Sequence, residues 1–325
     1  MNYSKYMKYF YSFIVIVAIG ILYEKYNNKN EENQIVNEQE LIQKFLLSEN
    51  SYLGGKPNLW IHTTLDINAR NWKSFFSRNT RDLNQPYILL CIQSIVNKCS
   101  DSFNICLIDD SSFEKLIPGW RIDLDEVADP VKTHLRTLGL MKVLYYYGGL
   151  LCPNSVLALQ NFKDTYYNSL KYRDCFVGTF VNRSSVSIKT MPSHRFMGCK
   201  RNSKIVKEFI QFLEILNSKD YTNTPEFIGM SDRFLFKVSK ENDIVQLPAQ
   251  TLCVIDKNNK LMVIDELLSD SYYQIDEKEC IGIYLPADEI LKRFKYQWFA
   301  RMSCEQILDS DLTISKYFLT SVSEK

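Results

Sequence analysis

A helix, a pair of glycines and a short strand follow one another in the middle of the chain, and this succession constrains the fold most. Apolar residues recur at helical spacing over 131–144, and Asp129 with Pro130 marks the start of the helix. Gly148 is expected to end it, since glycine accepts the left-handed conformation found after many helices. The apolar residues that follow predict a buried strand. A helix that leads directly into a buried strand is typical of α/β proteins.

The segments on either side alternate in the same way. Residues 59–62 and 103–108 predict two strands, with a helix over 86–98 between them. Further along, the pattern predicts strands over 175–181, 195–200, 261–264 and 282–285 and helices over 204–217, 225–238 and 287–302. The predicted fold class is therefore α/β, a mostly parallel central sheet flanked by helices.

The N-terminal segment 9–23 (YFYSFIVIVAIGILY) carries no charge and follows Lys5 and Lys8. It is shorter than the roughly 20 residues that span a bilayer, although flanking lysines can extend it. We favour a signal anchor over a cleaved signal peptide or a buried amphipathic helix. The implied organisation is a type II single-pass protein with a lumenal domain: a cytoplasmic tail (1–8), a transmembrane anchor (9–23), a polar stem (24–56) and a folded domain (57–325).

Charge and cysteine content limit which partners and which cellular compartment the chain is expected to have. Lys and Arg total 39 against 38 Asp and Glu, so the net charge of +1 gives no electrostatic basis for a nucleic-acid partner. Nine cysteines cannot all pair, and several lie in apolar segments as small buried hydrophobic residues. That pattern suits a reducing compartment, so a domain that faces the cytosol remains an alternative to the lumenal one.

Polar residues follow two of the predicted strands. His62 ends the first strand and Thr63 and Thr64 follow it, and Asp109 with Asp110 comes after the second. Ligands of parallel sheets collect at the carboxyl ends of the strands. The two aspartates either cap the helix over 111–116 or hold a metal ion or a ribose. His62 is either a structural histidine or a ligand-binding one.

Arg136 lies on the central helix beside an apolar stripe. A guanidinium in such surroundings needs an anionic partner, which is either a ligand phosphate or a protein carboxylate. Two further candidates, His194 and Arg195, come directly before FMGCK and are predicted to line an acceptor loop. Asp232 lies on a predicted helix as part of a solvated face or as an acid or base. The predicted core stripe of the central helix is Val131, Leu135, Leu138, Met141 and Leu144.

The order of the motifs LWIH, YYYGGLLCP and FMGCK resembles glycosyltransferases with a DXD sugar-binding region. Over residues 57–305 the chain is similar to a divergent, giant-virus-type branch related to capsular polysaccharide synthesis proteins. The resemblance implies a GT-A-like nucleotide-diphospho-sugar transferase fold. It also implies transfer of a sugar from a nucleotide-sugar donor to a glycan or glycoprotein acceptor.

The resemblance also assigns roles. The positions of the two DXD acids fall on Pro153 and Ser155, so Asp109 and Asp110 become the candidate ligands of Mn²⁺ or Mg²⁺. Arg136 would stabilise the diphosphate leaving group. Loss of the DXD acids motivates an alternative, a catalytically inactive relative that binds glycans or acts as a scaffold. The residues implied in donor binding are His62, Thr63, Thr64, Asn154 and Ser155.

Overall fold

A six-stranded sheet organises the part of the chain that the computed structural model describes: residues 55–63, 85–182, 188–219, 224–241, 243–256, 258–270, 275 and 278–323. The strands are β1 (Asn58–His62), β2 (Asn104–Ile108), β3 (Gly149–Pro153), β4 (Val156–Ala158), β5 (Cys175–Val181), β6 (Thr190–Cys199), β7 (Val245–Gln246) and β8 (Gly282–Tyr284). The sheet order is β2-β1-β3-β6-β5-β7, and β4 pairs separately with β8. Only β6 runs against its neighbours in the large sheet. The predicted α/β class with a mostly parallel sheet is confirmed.

Helices flank this sheet and build two hydrophobic cores. The helices are α1 (Tyr87–Cys99), α2 (Ser112–Leu116), α3 (Val131–Tyr147), α4 (Lys163–Leu170), α5 (Lys204–Ser218), α6 (Thr224–Lys240), α7 (Ile264–Leu267), α8 (Ala287–Lys292), α9 (Gln297–Ala300), α10 (Cys304–Leu308) and α11 (Thr313–Ser323). One core joins the sheet to α3, α5 and α6. The other joins α1 to the C-terminal helices.

The glycine pair between α3 and β3 fixes how these two elements join. Gly148 has a φ of 66° and Gly149 a φ of 103°, values that side chains disfavour. The indole Nε1 of Trp60 in β1 donates a hydrogen bond of 2.9 Å to the carbonyl of Gly148. A Cβ on Gly149 would lie 2.2 Å from the carbonyl oxygen of Asn58. Glycine at 149 therefore lets β3 enter the sheet directly beside β1.

The length of α3 brings Arg136 to the carboxyl ends of the parallel strands. Arg136 precedes Gly148 by three turns, a rise of about 18 Å at 1.5 Å per residue. β1 has five residues and spans roughly 16 Å. Because α3 returns along the sheet before β3 begins, its N-terminal half lies near the carboxyl ends of the parallel strands. In the core stripe, the prediction for Val131 is wrong: it is exposed, and His134 is buried instead.

The predicted strand over 261–264 is wrong. Leu261 makes a single isolated bridge to Ile255, and the chain then enters α7. The turn before it is closed by the Asp256 side chain, whose Oδ1 accepts hydrogen bonds from the backbone N–H groups of Asn258 and Lys260. An apolar segment of this length is ambiguous between strand and helix, and in the described part of the chain the bridge to Ile255 is its one strand-like pairing.

The predicted continuous helix over 287–302 is also wrong. It divides into α8, a 3₁₀ turn over Phe294–Tyr296 and α9, with extended backbone at Arg293. Leu291, Phe294 and Trp298 have helical spacing, yet all three are exposed. Burial of Tyr296 and Phe299 in the second core requires the chain to turn between them and α8. Packing therefore overrides local periodicity here.

All nine cysteines are free thiols, and eight of them are buried. The predicted tail and anchor (1–23), most of the stem and Thr64 lie outside the residues that the structure describes. Within the described ranges, no helix is both long enough and apolar enough to cross a membrane.

Candidate functional site

The strand order changes direction between β1 and β3. From β1 the chain moves to β2 on one side, and it later returns to form β3 on the other side. In open α/β sheets such a switch point leaves a crevice at the carboxyl ends of the strands, where ligands bind. His62 and Pro153 are paired at this edge. Predicted donor-binding residues therefore lie on both sides of the crevice.

Three predicted site residues come together beside the crevice. The Nε of Arg136 donates to Oδ1 of Asp110 at 2.7 Å, and Nη2 donates to Oδ2 at 2.6 Å. The Nε2 atom of His62 lies 2.8 Å from the same Oδ1. These contacts join the ends of β1 and β2 to α3. Of the two kinds of anionic partner left open for Arg136, the structure shows a protein carboxylate, that of Asp110.

The charges in this triad follow from its hydrogen bonds. Burial would raise the pKa of the Asp110 carboxyl, but the hydrogen bonds from Arg136 and His62 outweigh it and hold that pKa well below its usual range. Asp110 is therefore a carboxylate, which can only accept hydrogen bonds. It follows that Nε2 of His62 carries a proton and donates it to Asp110, which leaves Nδ1 as the ring nitrogen that does not contact Asp110.

Aromatic packing fixes the plane of the His62 ring. The ring stacks on Phe113 with centroids 5.9 Å apart and an interplanar angle of 13°. A carboxylate on one nitrogen and a fixed ring plane together orient the other nitrogen. The triad can thus accept a proton at His62 and present a fixed guanidinium at Arg136.

Asp109 forms a cap instead of joining this triad. Its Oδ1 accepts hydrogen bonds from the backbone N–H of Ser112 at 2.9 Å and from the hydroxyls of Ser111 and Ser112 at 2.8 and 2.7 Å. Partial burial would raise the pKa of Asp109, but these hydrogen bonds outweigh it and lower that pKa. Of the two interpretations of the aspartate pair, the helix cap describes the contacts of Asp109.

The donor set at the aspartate pair does not fit a divalent cation in this arrangement. A cation needs several oxygens that are not already shared with protein donors. Both oxygens of Asp110 accept from Arg136, and Oδ1 of Asp109 accepts three hydrogen bonds. In the described part of the chain, no group of three or more His, Cys, Asp or Glu side chains forms a metal site. Mn²⁺ or Mg²⁺ at Asp109 and Asp110 stays a prediction.

Replacement of Asp109 separates the cap from the metal prediction. We expect Asp109→Asn to change the free energy of unfolding by less than about 0.5 kcal/mol, because the amide oxygen accepts the same hydrogen bonds. Asp109→Ala is expected to lose about 1–2 kcal/mol. Urea unfolding of both variants measures the difference. If Asn costs as much as Ala, or if Asn removes a manganese dependence of nucleotide binding, the charge of Asp109 matters beyond its cap.

An acidic cleft adjoins the triad beyond β2. It encloses about 520 Å³ and is lined by Trp120 and by one guanidinium, that of Arg121. Because the carboxylates outnumber the guanidinium, the cleft repels a diphosphate that carries no cation. The phosphates of a donor are therefore expected on the β1–β3 side. The carboxylates that line the cleft are Asp110, Glu114, Asp123 and Asp125.

The remaining donor-binding predictions lie at the β1–β3 edge. The backbone N–H of Thr63 donates to the carbonyl of Ile108 at 2.9 Å, which continues the sheet. Asn154 is half-buried at the end of β3. Ser155 is buried, and its carbonyl accepts from the N–H of Leu285 at 2.9 Å. Thr63 and Asn154 are thus both half-buried at the ends of their strands, and Ser155 has a structural contact.

His194 and Arg195 lie at a bulge in β6. The pairs Val177–Met197 and Gly178–Ser193 leave residues 194–196 between paired positions, a device that redirects side chains near functional sites. His194 lies 3.4 Å from the hydroxyl of Thr137 and packs against Phe209. Arg195 instead reaches Tyr284, so the two predicted acceptor residues contact different parts of the protein.

Sequence reasoning missed two neighbours of these residues and misjudged a third. Oδ1 of Asp232 lies 3.9 Å from Nδ1 of His194, so Asp232 is not part of a fully solvated face. Burial raises the pKa of Asp232, although Arg195 opposes the shift. Burial, followed by the nearby Arg195, lowers the pKa of His194 to about 3. The missed residues are His134 and Tyr284, which the periodicity presented only as helix and strand positions.

Comparison of the chain with protein-family models gave no match, and comparison with curated proteins gave none either.

Proposed function

We propose that the chain is a membrane-anchored, glycosyltransferase-like protein that binds a nucleotide-sugar donor in the crevice between β1 and β3. The observation that carries the proposal is the change of direction between these two strands, since ligands bind at such points. His62, Thr63 and Asn154 lie at that edge, and Arg136 reaches it from α3. The acceptor is a glycan or a glycoprotein.

We assign the fold to the GT-A-like, nucleotide-diphospho-sugar transferase class. The sheet with one reversed strand and the helix that enters β3 through Gly148 and Gly149 support this assignment. We further propose that residues 9–23 anchor the protein and that the domain is lumenal. The free, buried thiols also suit a domain on the cytosolic side.

In the proposed reaction, the bond between the anomeric carbon and the diphosphate oxygen breaks while the acceptor oxygen bonds to that carbon. The leaving diphosphate gains negative charge, which a fixed guanidinium stabilises. Asp110 uses two of the five N–H groups of Arg136 and fixes its plane. The acceptor hydroxyl loses a proton, and His62, oriented by Asp110, accepts it at Nδ1.

A second candidate function is a non-catalytic glycan-binding or scaffolding module of the same fold. Two observations favour it. Pro153 and Ser155 occupy the positions of the DXD acids. The carboxylate of Asp110 is committed to Arg136, which makes that pair electrically balanced and weakens its attraction for a diphosphate.

Calorimetric titration of the full chain tests the proposal. Uridine and guanosine diphosphates and their sugars are titrated with and without manganese, followed by assays of sugar transfer. We expect at least one nucleotide diphosphate to bind with a Kd of about 1 mM or tighter, and its sugar to be transferred. Binding without turnover supports the non-catalytic module. Absence of binding across the panel contradicts a donor site at the crevice.

A further inference from the structure

A second cavity, of about 280 Å³, lies between the end of β5, the bulge of β6 and the segments 253–267 and 284–296. Phe180, Met262 and Ile264 contribute apolar walls. Arg195 brings a guanidinium to this mainly apolar lining. Because a charge is costly in apolar surroundings, the balance of charge around Arg195 decides what the cavity can bind.

Arg195 has few partners among the residues that the structure describes. Its Nη1 donates to the hydroxyl of Tyr284 at 3.3 Å, and its guanidinium carbon lies 5.9 Å from the centre of the Phe180 ring. Asp232 and Asp288 also stabilise its positive charge electrostatically, but neither forms an ion pair with it in the described part of the chain. The guanidinium carries five N–H donors and stays protonated. It therefore retains donor capacity toward the cavity.

The two acidic residues that line the cavity are paired with other bases. Asp265 forms an ion pair with Lys295, and Glu289 forms one with Arg293 at 3.2 Å. Each carboxylate therefore already has a neighbouring positive charge. Among the described lining residues, Arg195 has no carboxylate at ion-pair distance, so an anionic ligand would supply its close counterion.

We propose that this cavity binds the carboxylate of an acidic sugar, with Arg195 and Tyr284 as its hydrogen-bond donors. The planar fork of a guanidinium matches the two oxygens of a carboxylate. The rings of Phe180 and Tyr284 meet edge to face at 4.8 Å and provide a rigid wall. A volume of about 280 Å³ is at the small end of ligand pockets and suits a single sugar residue.

The position of the cavity links it to the donor crevice. Tyr284 pairs in the β4–β8 ribbon with Val156, which directly follows Ser155 in the chain. Met197 pairs with Leu151, which puts Arg195 at about the level of Pro153 in the neighbouring strand. The cavity thus adjoins the end of β3. Its role as the acceptor subsite rests on the proposed transferase function, whereas its preference for a carboxylate does not.

Binding of a matched pair of sugars to the full chain tests the proposal. Methyl β-D-glucuronoside carries a carboxylate where methyl β-D-glucoside carries a hydroxymethyl group, and the two are otherwise identical. The difference in their affinities, measured by calorimetry or ligand-observed NMR, therefore gives the contribution of the carboxylate to binding. We expect the glucuronoside to bind at least tenfold more tightly. Arg195→Gln is expected to remove this preference, and Tyr284→Phe to reduce it severalfold. Arg301→Gln is the matched control, because Arg301 is exposed and does not line the cavity.

Two results would overturn the proposal: equal binding of the two sugars by the unaltered protein, or an unchanged preference in Arg195→Gln. The first result is decisive even if a variant fails to fold. These titrations contain no nucleotide, so they separate this proposal from the transferase. A carboxylate preference without nucleotide binding leaves the cavity assignment intact and contradicts the transferase, and the reverse outcome contradicts the cavity alone.

Discussion

Replacement of Arg136 by glutamine is expected to weaken donor binding at least tenfold and to lower the free energy of unfolding by about 2–3 kcal/mol. Loss of a fixed guanidinium removes charged hydrogen bonds to the leaving diphosphate, each worth about 1.5–3 kcal/mol. Among the described residues, the variant leaves the carboxylate of Asp110 with His62 as its one close partner. That cost is below the 3–5 kcal/mol of fully buried pairs, because both side chains keep some solvent contact.

Titration of Arg136→Gln with the nucleotide panel and urea unfolding measure the two effects. Lys142→Gln is the matched control: it removes a cation from the same helix, but Lys142 pairs at 2.8 Å with Glu214, a carboxylate that is far more exposed than Asp110. Its expected cost is at most about 1 kcal/mol, with unchanged donor binding. If Arg136→Gln binds nucleotides as the unaltered protein does, the assigned role of Arg136 is wrong.

Acid unfolding checks the same ion pair independently. The pKa of Asp110 is lower in the folded protein than in the unfolded chain, so its contribution to stability is complete above the unfolded value of about 4. It is lost progressively as the pH falls below that value. Arg136→Gln is expected to flatten this part of the pH profile.

Replacement of Gly149 by alanine is expected to cost about 4 kcal/mol or more and to prevent normal folding at 37 °C. The new Cβ would lie 2.2 Å from the carbonyl oxygen of Asn58, and the backbone φ of 103° is strained for alanine. Steric overlap and backbone strain each contribute about 1–3 kcal/mol. Relief of the overlap requires β3 to move away from β1, which disrupts the predicted donor crevice.

Urea unfolding compares this variant with Gly229→Ala. Gly229 lies in α6, and the nearest atom to an added Cβ is 3.9 Å away. That substitution is expected to be neutral or to stabilise by up to about 1 kcal/mol, since alanine favours helix. A loss below about 1 kcal/mol for Gly149→Ala would mean that β1 and β3 tolerate separation, contrary to the close approach described here.

The sequence alone predicted the elements that position the site. Strands over 59–62 and 103–108 and the helix before Gly148 have strong local signals, because buried parallel strands are continuous apolar runs and α3 carries apolar residues at helical spacing. The binding of ligands at the carboxyl ends of parallel strands then made His62, Asp109 and Asp110 candidates, without separating the two aspartates. Arg136 became a candidate because a guanidinium on an apolar helix face needs a counterion.

Periodicity failed where packing, and not local preference, decides the backbone. The exposed stripe of Leu291, Phe294 and Trp298 has helical spacing, yet the chain bends at Arg293 to bury Tyr296 and Phe299. The sequence also could not predict that the two adjacent aspartates make different contacts. Asp109 and Asp110 are adjacent, and only the position of α3 gives Arg136 to the second of them.

By itself, the sequence determined which segments are helices and strands in most of the described chain, and which polar residues follow the parallel strands. Hydrophobic periodicity and glycine conformation are local properties, so they can be recognised in the amino-acid sequence. The tertiary structure alone decided the reversal of β6, the order of strands around β1 and β3, and the placement of Arg195 beside Tyr284. These depend on contacts between residues far apart in the chain, whose energies local sequence does not encode.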